Sequence, residues 1–575
     1  MFEYMLENGK STRREFDGKF DYETDIAVVG LGTAGAIAAI SAARGGASVA
    51  GIERCPQPGG VGVSGAVFDY YFGIRGGLYE RINERAGELC ESIFYGSKFP
   101  GLLDSVPASP KALALCEAFE AAGVKAFYNS TLSGVITDDS GRKIKGLTFI
   151  RGGIRIGISA KVVIDGADGA VSKILGFPMM RGRRSDGRLN RYSRTVGLYG
   201  GDTVRGIWRF GGDAALENEF EKAESFYREA CAPPCLAEKY DGSSLVTVPP
   251  QQIGFRETRC CETDETYTME MLLRGERQQN VLLYATAPID NVNPDLEYED
   301  VEFVDWQLIC GLKSVGATVG VTAGMLIAKG AENLLVCGKA VGTGHPLCSC
   351  VRMKSDMERI GEAAGLIAAE ALSGGIDIRA AASLRFDEIK AALESSGCSD
   401  PGDNIPFTDL TRMGRRKCEP AVLPEDLDEL KFVLASDYPS PGLLAVLLGR
   451  FKGSEDDISG WITGGDFLSE NAAAALALMG DGRALPVLRR IINEDAVIVT
   501  HEMPHKSIYG WLNYPVCCNF LKAVILLSRI KDKASLPRLR EIADRPEDIK
   551  FRGGEPTDRD NIRRLASAFA KTSLT

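Results

Sequence analysis

Asp25-Ile-Ala-Val-Val-Gly-Leu-Gly-Thr-Ala-Gly35, running on through a small-residue stretch to Ser48-Val-Ala-Gly-Ile-Glu53, decides the fold. Ile26 to Val29 is a short, wholly apolar run of the kind a buried parallel strand shows. Gly30-x-Gly32-x-x-Gly35 follows directly and opens a helix, Ala34 to Arg44; a second strand, Ser48 to Ile52, ends at Glu53. In such a βαβ unit Gly30 permits the tight turn, Gly32 lets the backbone approach a pyrophosphate, and Gly35 allows close packing of helix on strand. Amides at the helix start, where Thr33 and Ala34 lie, stabilise a diphosphate together with the positive end of the helix dipole. Glu53 stands where an acid would bind a ribose hydroxyl pair, and its charge would repel a 2′-phosphate. The pattern predicts a Rossmann-type dinucleotide-binding domain.

The next residues narrow the dinucleotide. Glu53-Arg54 is followed by Gly59-Gly60 and by Val61-Gly62-Val63-Ser64-Gly65. This resembles the acid, Arg and double-glycine segment of flavoproteins in the glutathione reductase structural class, which bind an extended FAD. Val162-Val163-Ile164-Asp165-Gly166-Ala167-Asp168-Gly169 resembles that class's strand ending in an Ala-Thr-Gly turn. Asn333-Leu334-Leu335-Val336-Cys337-Gly338-Lys339 resembles its second FAD motif, with Lys339 in place of Arg. Gly254-Phe255-Arg256-Glu257-Thr258-Arg259, His345 with Arg352 seven residues on, and Gly361-Glu362-Ala363-Ala364-Gly365 extend the likeness. Together they resemble the FAD-dependent oxidoreductase family related to the flavoprotein of heterodisulfide reductase and to fumarate reductase-like flavoproteins. The resemblance covers about residues 20 to 375 and implies an FAD enzyme. It adds Arg54, Gly60, Val61, Ser64, Gly65, Leu132, Gly166, Gly338, Lys339, Met353 and Gly361 to the residues expected around the cofactor. The ferredoxin-type cysteine runs of heterodisulfide reductases are absent from the sequence, which argues against iron–sulfur chemistry.

A chain of 575 residues exceeds one core. We expect an α/β protein in which a polar extension, 1–24, precedes a first FAD-binding part, 25–180. An inserted α+β substrate domain, 181–305, is followed by the second FAD-binding part, 306–380, a linker, 381–424, and an all-α domain, 425–575. Within that last part, Ala475–Pro486 and Leu526–Pro537 each read as helix, Asp-bearing turn, and Pro at the start of the next helix, a pattern resembling HEAT-like repeats. The net charge of -11 makes nucleic acid a poor partner, transfer RNA included. Arg181, Arg183, Arg184, Arg188, Arg191 and Arg194 form a local basic run that reads first as a solvated loop. Without a signal core, a membrane-length apolar run or a Cys-x-x-Cys, the fifteen cysteines read as reduced thiols of a cytoplasmic protein.

The expected chemistry is transfer of hydride or electrons between flavin and a small, anionic organic molecule, the isoalloxazine supplying the redox step. The resemblance places His345 to handle a proton and Arg352 to grip the substrate or a flavin carbonyl. Arg256, in an Arg-rich turn with Glu257 and Arg259, is a further catalytic candidate, since such a turn can clamp a carboxylate; a structural Arg–Glu pair is the alternative. A second reading makes the chain a flavin-bearing electron-transfer subunit that docks a protein partner through its helical tail. No metal is expected. His501-Glu502-Met503-Pro504-His505 matches a zinc-protease signature, but Pro504 disfavours the helix that would bring both histidines to one face. Cys231-x-x-x-Cys235 and the neighbours Cys260 and Cys261 read as ordinary thiols.

Overall fold

The computed structural model describes residues 1–94, 105–180, 182–190, 193–200, 203–210, 245–248, 252, 254–289, 296–312, 315–398, 405–409, 420–436, 438–499, 518–554 and 556–574. The chain opens on a hairpin, β1 (Phe2–Glu7) and β2 (Lys10–Glu15), and a short strand, β3 (Tyr22–Glu23). This corrects the polar extension read for residues 1–24. The strands are polar because β2 and β3 are the two edges of a sheet, and β1 beside β2 keeps residues in water. Inside it, Glu3 is buried, accepting from Thr148 Oγ1 at 2.7 Å and pairing with Arg14 at 2.8 Å and with Arg155.

Next come β4 (Ile26–Val29), α1 (Thr33–Arg44) and β5 (Val49–Ile52), the expected βαβ unit. They are followed by α2 (Leu78–Leu89), α3 (Ala108–Ala122) and β6 (Lys125–Phe127). β7 (Ser130–Thr137), β8 (Ile144–Arg151), β9 (Ile154–Ser159) and β10 (Val162–Asp165) complete the first part. A parallel sheet has β10, β4, β5 and β6 in that order, with the strand Leu334–Val336 returning from far along the chain to pair with β10. A second sheet runs β2-β1-β7-β8-β9-β3.

Alternation along β4 explains how the layers stack. Ala27 and Val29 pack with Phe127, Leu147 and Phe149 toward the second sheet. Ile26 and Val28 pack with Ile37, Ile360 and Ile367 toward α1 and the long helix Lys354–Ser373. These two helices touch backbone to backbone. A Cβ at Gly361 would lie 2.1 Å from the Ala34 carbonyl oxygen, and one at Gly365 would lie 2.5 Å from that of Ala38.

The expected linker also needs correction. Helices Ile378–Leu384 and Phe386–Ser395 occupy its first half, with Asp377 capping the first and Ile389 and Leu393 buried. Strand Phe407–Asp409 then joins an antiparallel sheet with Val315–Thr322, which itself pairs with Val281–Pro288. Beyond it lie helices such as Phe467–Leu478, Leu485–Ile492, Asn519–Arg529, Leu536–Asp544 and Pro556–Thr572. The duplicated turn is visible: Asp481 and Asp532 each cap a short helical turn that leads into a Leu-Pro helix start. The region is not wholly helical, because Val497–Val499 pairs in parallel with Phe551–Gly553. Its apolar residues merge with the core of the preceding part in one cluster. Among the described residues, no helix is long and apolar enough to cross a membrane.

Candidate functional site

A cleft of about 720 Å³ opens at the carboxyl ends of the parallel strands, where open α/β sheets hold ligands. The β4–α1 turn contributes Gly30, Gly32, Thr33 and Ala34, and the end of β5 contributes Glu53 and Arg54. Gly60 and Val61, Leu132 of β7, Gly166 after β10, and Gly338 and Lys339 after Leu334–Val336 complete the expected set found there. Segments far apart in sequence thus meet on one wall. Lys339 ties two of them together, its Nζ donating to the Phe255 carbonyl oxygen at 2.9 Å and lying 3.5 Å from Asp168.

The turn is built for close approach. Gly30 has φ +80°, and a Cβ there would sit 2.8 Å from the Gly166 carbonyl oxygen. Gly32 caps α1 without any side-chain acceptor, so the first-turn amides face the cleft rather than a capping group. At Gly60, φ is +53° and a Cβ would meet Gly32 Cα at 2.7 Å, which keeps that loop against the turn. Glu53 is 6% exposed and accepts from the Cys55 amide at 2.7 Å. Burial raises its pKa, opposed by the Cys55 and Leu31 amides and by Arg54. An uncapped helix start, a glycine cradle and a buried acid at the second strand fit the diphosphate and ribose of FAD.

Other expected residues stand outside this lining. Gly35 packs beneath the turn, where a Cβ would fall 1.9 Å from the Gly30 carbonyl oxygen. Ser64 is buried with its amide on the Gly60 carbonyl oxygen at 2.7 Å, and a Cβ at Gly65 would crowd Val61. Gly361 serves the contact between the two helices. Met353 caps the long helix and packs with Phe72 and Ala287, while Met357, one turn on, reaches the cleft.

The catalytic candidates are divided. Arg352 follows the short helix Cys348–Val351, and Arg256 is buried. Neither lines the cleft; their neighbours Glu257, Thr258 and Arg259 do. His345 sits behind that wall, 5% exposed, with Nδ1 2.8 Å from Glu257 Oε2 and Nε2 2.9 Å from Glu299 Oε2. Burial works to lower its pKa, but the two carboxylates outweigh it and hold it up at about 10. The acid of the Gly254–Arg259 turn, Glu257, thus pairs with the histidine. Sequence reading did not single out Glu299, Lys173 or Asp168; only the Asp168-Gly169 turn at a strand end offered a signal for the last two.

Among the described residues every cysteine is a free thiol, and no group of three or more His, Cys, Asp or Glu could hold a metal. Cys260 and Cys261 are buried in a strand paired with Met179–Met180. Arg183 is buried against Asp186 at 2.5 Å, while Arg184 and Arg188 are exposed, as expected of a solvated loop. Cys231, Cys235 and His501–His505 lie outside the described residues.

Residues 25–220 and 213–393 match the model of a family described as FAD dependent oxidoreductase. No curated protein matches the chain. Solved structures similar to it include a geranylgeranyl bacteriochlorophyll reductase-like protein from Thermoplasma acidophilum, at 13% identity, 82% of this chain, 98% of that chain and a TM-score of 0.33. An anhydrotetracycline hydroxylase from Streptomyces rimosus matches at 12% identity over 79% of this chain and 76% of that one, TM-score 0.34. A 3-ketosteroid dehydrogenase from Rhodococcus jostii matches at 13% identity over 61% and 98%, TM-score 0.27.

Proposed function

The chain belongs to the FAD dependent oxidoreductase family, making it an enzyme with FAD as cofactor, and on that premise we propose that it transfers hydride between the flavin and a small anionic organic substrate. When bound, FAD supplies the two-electron chemistry. The protein's part is to bind, orient and screen. The β4–α1 turn and Gly60 would hold the diphosphate, Glu53 the ribose, and Gly338 and Lys339 the far side of the dinucleotide.

The observation that carries the substrate class is the cation pair beyond those residues. Lys173 and Arg259 both line the cleft from adjacent segments, a Cβ at Gly169 lying 3.1 Å from the Arg259 carbonyl oxygen. Arg259 is exposed, with Nη2 donating to the Gly187 carbonyl oxygen at 3.3 Å. A guanidinium so placed favours a carboxylate over a neutral group.

The test has two stages. The absorption spectrum of purified protein, taken before and after acid precipitation, reports the flavin and its attachment. Reduction of artificial dyes is then followed with paired carboxylate and neutral-amide compounds. Carboxylates should be preferred, and Arg259→Met should raise their KM about 10–100-fold while changing the amides little. Equal turnover of both series would remove the anionic substrate from the reading.

A further inference from the structure

Two buried carboxylates grip one imidazole behind the cleft wall, and they come from different parts of the chain. Glu257 lines the cleft, and its Oε2 also accepts from the Asn190 amide at 2.8 Å. Glu299 belongs to the segment Leu296–Ile309, which begins with a helical turn and ends in the helical stretch Asp305–Ile309. That segment is where the C-terminal helices dock. The helix Pro556–Thr572 packs on Leu296–Tyr298, and Asn519–Arg529 packs on Asp305–Ile309. Arg529 reaches Asp305 at 2.7 Å, and Ser440 Oγ donates to the Gly311 carbonyl oxygen at 3.4 Å. The carboxylate of Asp305 is largely buried, with its pKa raised by that burial against the pull of Arg529.

We propose that Glu299 and Arg529 are positioning residues for Glu257, so that the C-terminal helical region serves as a brace for the cleft wall. The path runs from Arg529 on Asp305, along the short segment Glu299–Asp305, to Glu299 on His345 and His345 on Glu257. A buried carboxylate needs a fixed countercharge, and a doubly bound imidazolium provides it without freedom to turn. Removing one grip leaves the ring with one anchor, and Glu257 with a partner that can shed its proton. Among the described residues, the charged or titratable groups beside the clamp include Asp300, whose carboxyl is raised by burial, Arg184 and Glu302 beside it, and Cys348, whose sulfur lies 3.5 Å from Asn190 Nδ2.

The sequence makes the test direct, because it holds only three histidines. In full-length protein labelled with 15N-histidine, the His345 signals are identified by their loss in His345→Gln. Their titration is followed alongside flavin affinity measured by fluorescence quenching. Glu299→Gln should lower the His345 titration midpoint by at least a unit and weaken flavin binding several-fold. Arg529→Met should shift the same signals in the same direction, as should Arg529→Met with Asp305→Asn, which removes the ion pair as a unit. Arg483→Met breaks an exposed ion pair with Asp456 elsewhere in the helical region and should leave both readouts unchanged. Wild-type His345 signals in both Arg529 variants would overturn the proposal. So would loss of the folded state in both, since the contact would then serve the fold and not Glu257. A parent protein that binds no flavin would instead sink the assignment of the cleft, while the histidine spectra still decide on the brace.

Discussion

His345 gives the protein a pH dependence whose sign follows from its surroundings. Its folded-state pKa is held up at about 10 against an ordinary value of 6.5, so the folded chain keeps a proton that the unfolded chain releases. The stability contributed by the clamp is complete below about pH 6.5 and is lost as pH rises toward about 10. Thermal melts of wild type and His345→Gln should therefore differ most near pH 6 and converge at the alkaline end. Lys354 pulls the other way. Burial lowers its pKa to about 7 from 10.5, so its contribution grows as pH rises through that window. Difference curves against each variant separate the two trends. At Glu53, replacement by Gln removes a charged acceptor at the ribose position and should weaken flavin binding about 10–100-fold, as equilibrium titration would show. Such residues differ in how readable they are. Gly30, Gly32 and Glu53 lie in one short stretch whose spacing carries the chemistry, whereas Glu257, Glu299 and His345 are brought together only by the folded chain.

At the scale of elements, the contact between α1 and the long helix Lys354–Ser373 is a backbone-to-backbone joint beside the cofactor cleft. A methyl at Gly361 would press on the Ala34 carbonyl in the turn's own helix. Gly361→Ala should cost about 1–3 kcal/mol of stability, seen as a lower melting temperature, and should loosen flavin binding with it. The sequence shows a Gly at this position in a Gly-Glu-Ala-Ala-Gly run, but repeats of small residues do not say which backbone they face. The same limit explains β1 to β3. A strand of a sheet with one face in water needs only one apolar face, so Phe2, Tyr4 and the buried Glu3 read as polar lead-in until their partner strand β7 is known. The central parallel strand β4 was legible for the opposite reason: buried on both faces, Ile26–Val29 is apolar without interruption.

For the whole molecule, the expected boundary between flavin domain and helical region is not a boundary in the core. Leu430, Leu444 and Leu526 belong to the same apolar cluster as Ile37 and Ile360. Calorimetry on the full chain should then give one cooperative unfolding transition; two well-separated peaks would show that the halves stand alone. The break in βα rhythm after the long helix was visible in the sequence, but composition alone does not distinguish a free linker from a segment that returns to the body. Phe407–Asp409 returns. It joins the sheet of Val315–Thr322 and so belongs to the body of the preceding part. A pair of fluorophores, one on that strand's sheet and one among the helices that share its apolar cluster, should then report a single distance through the catalytic cycle.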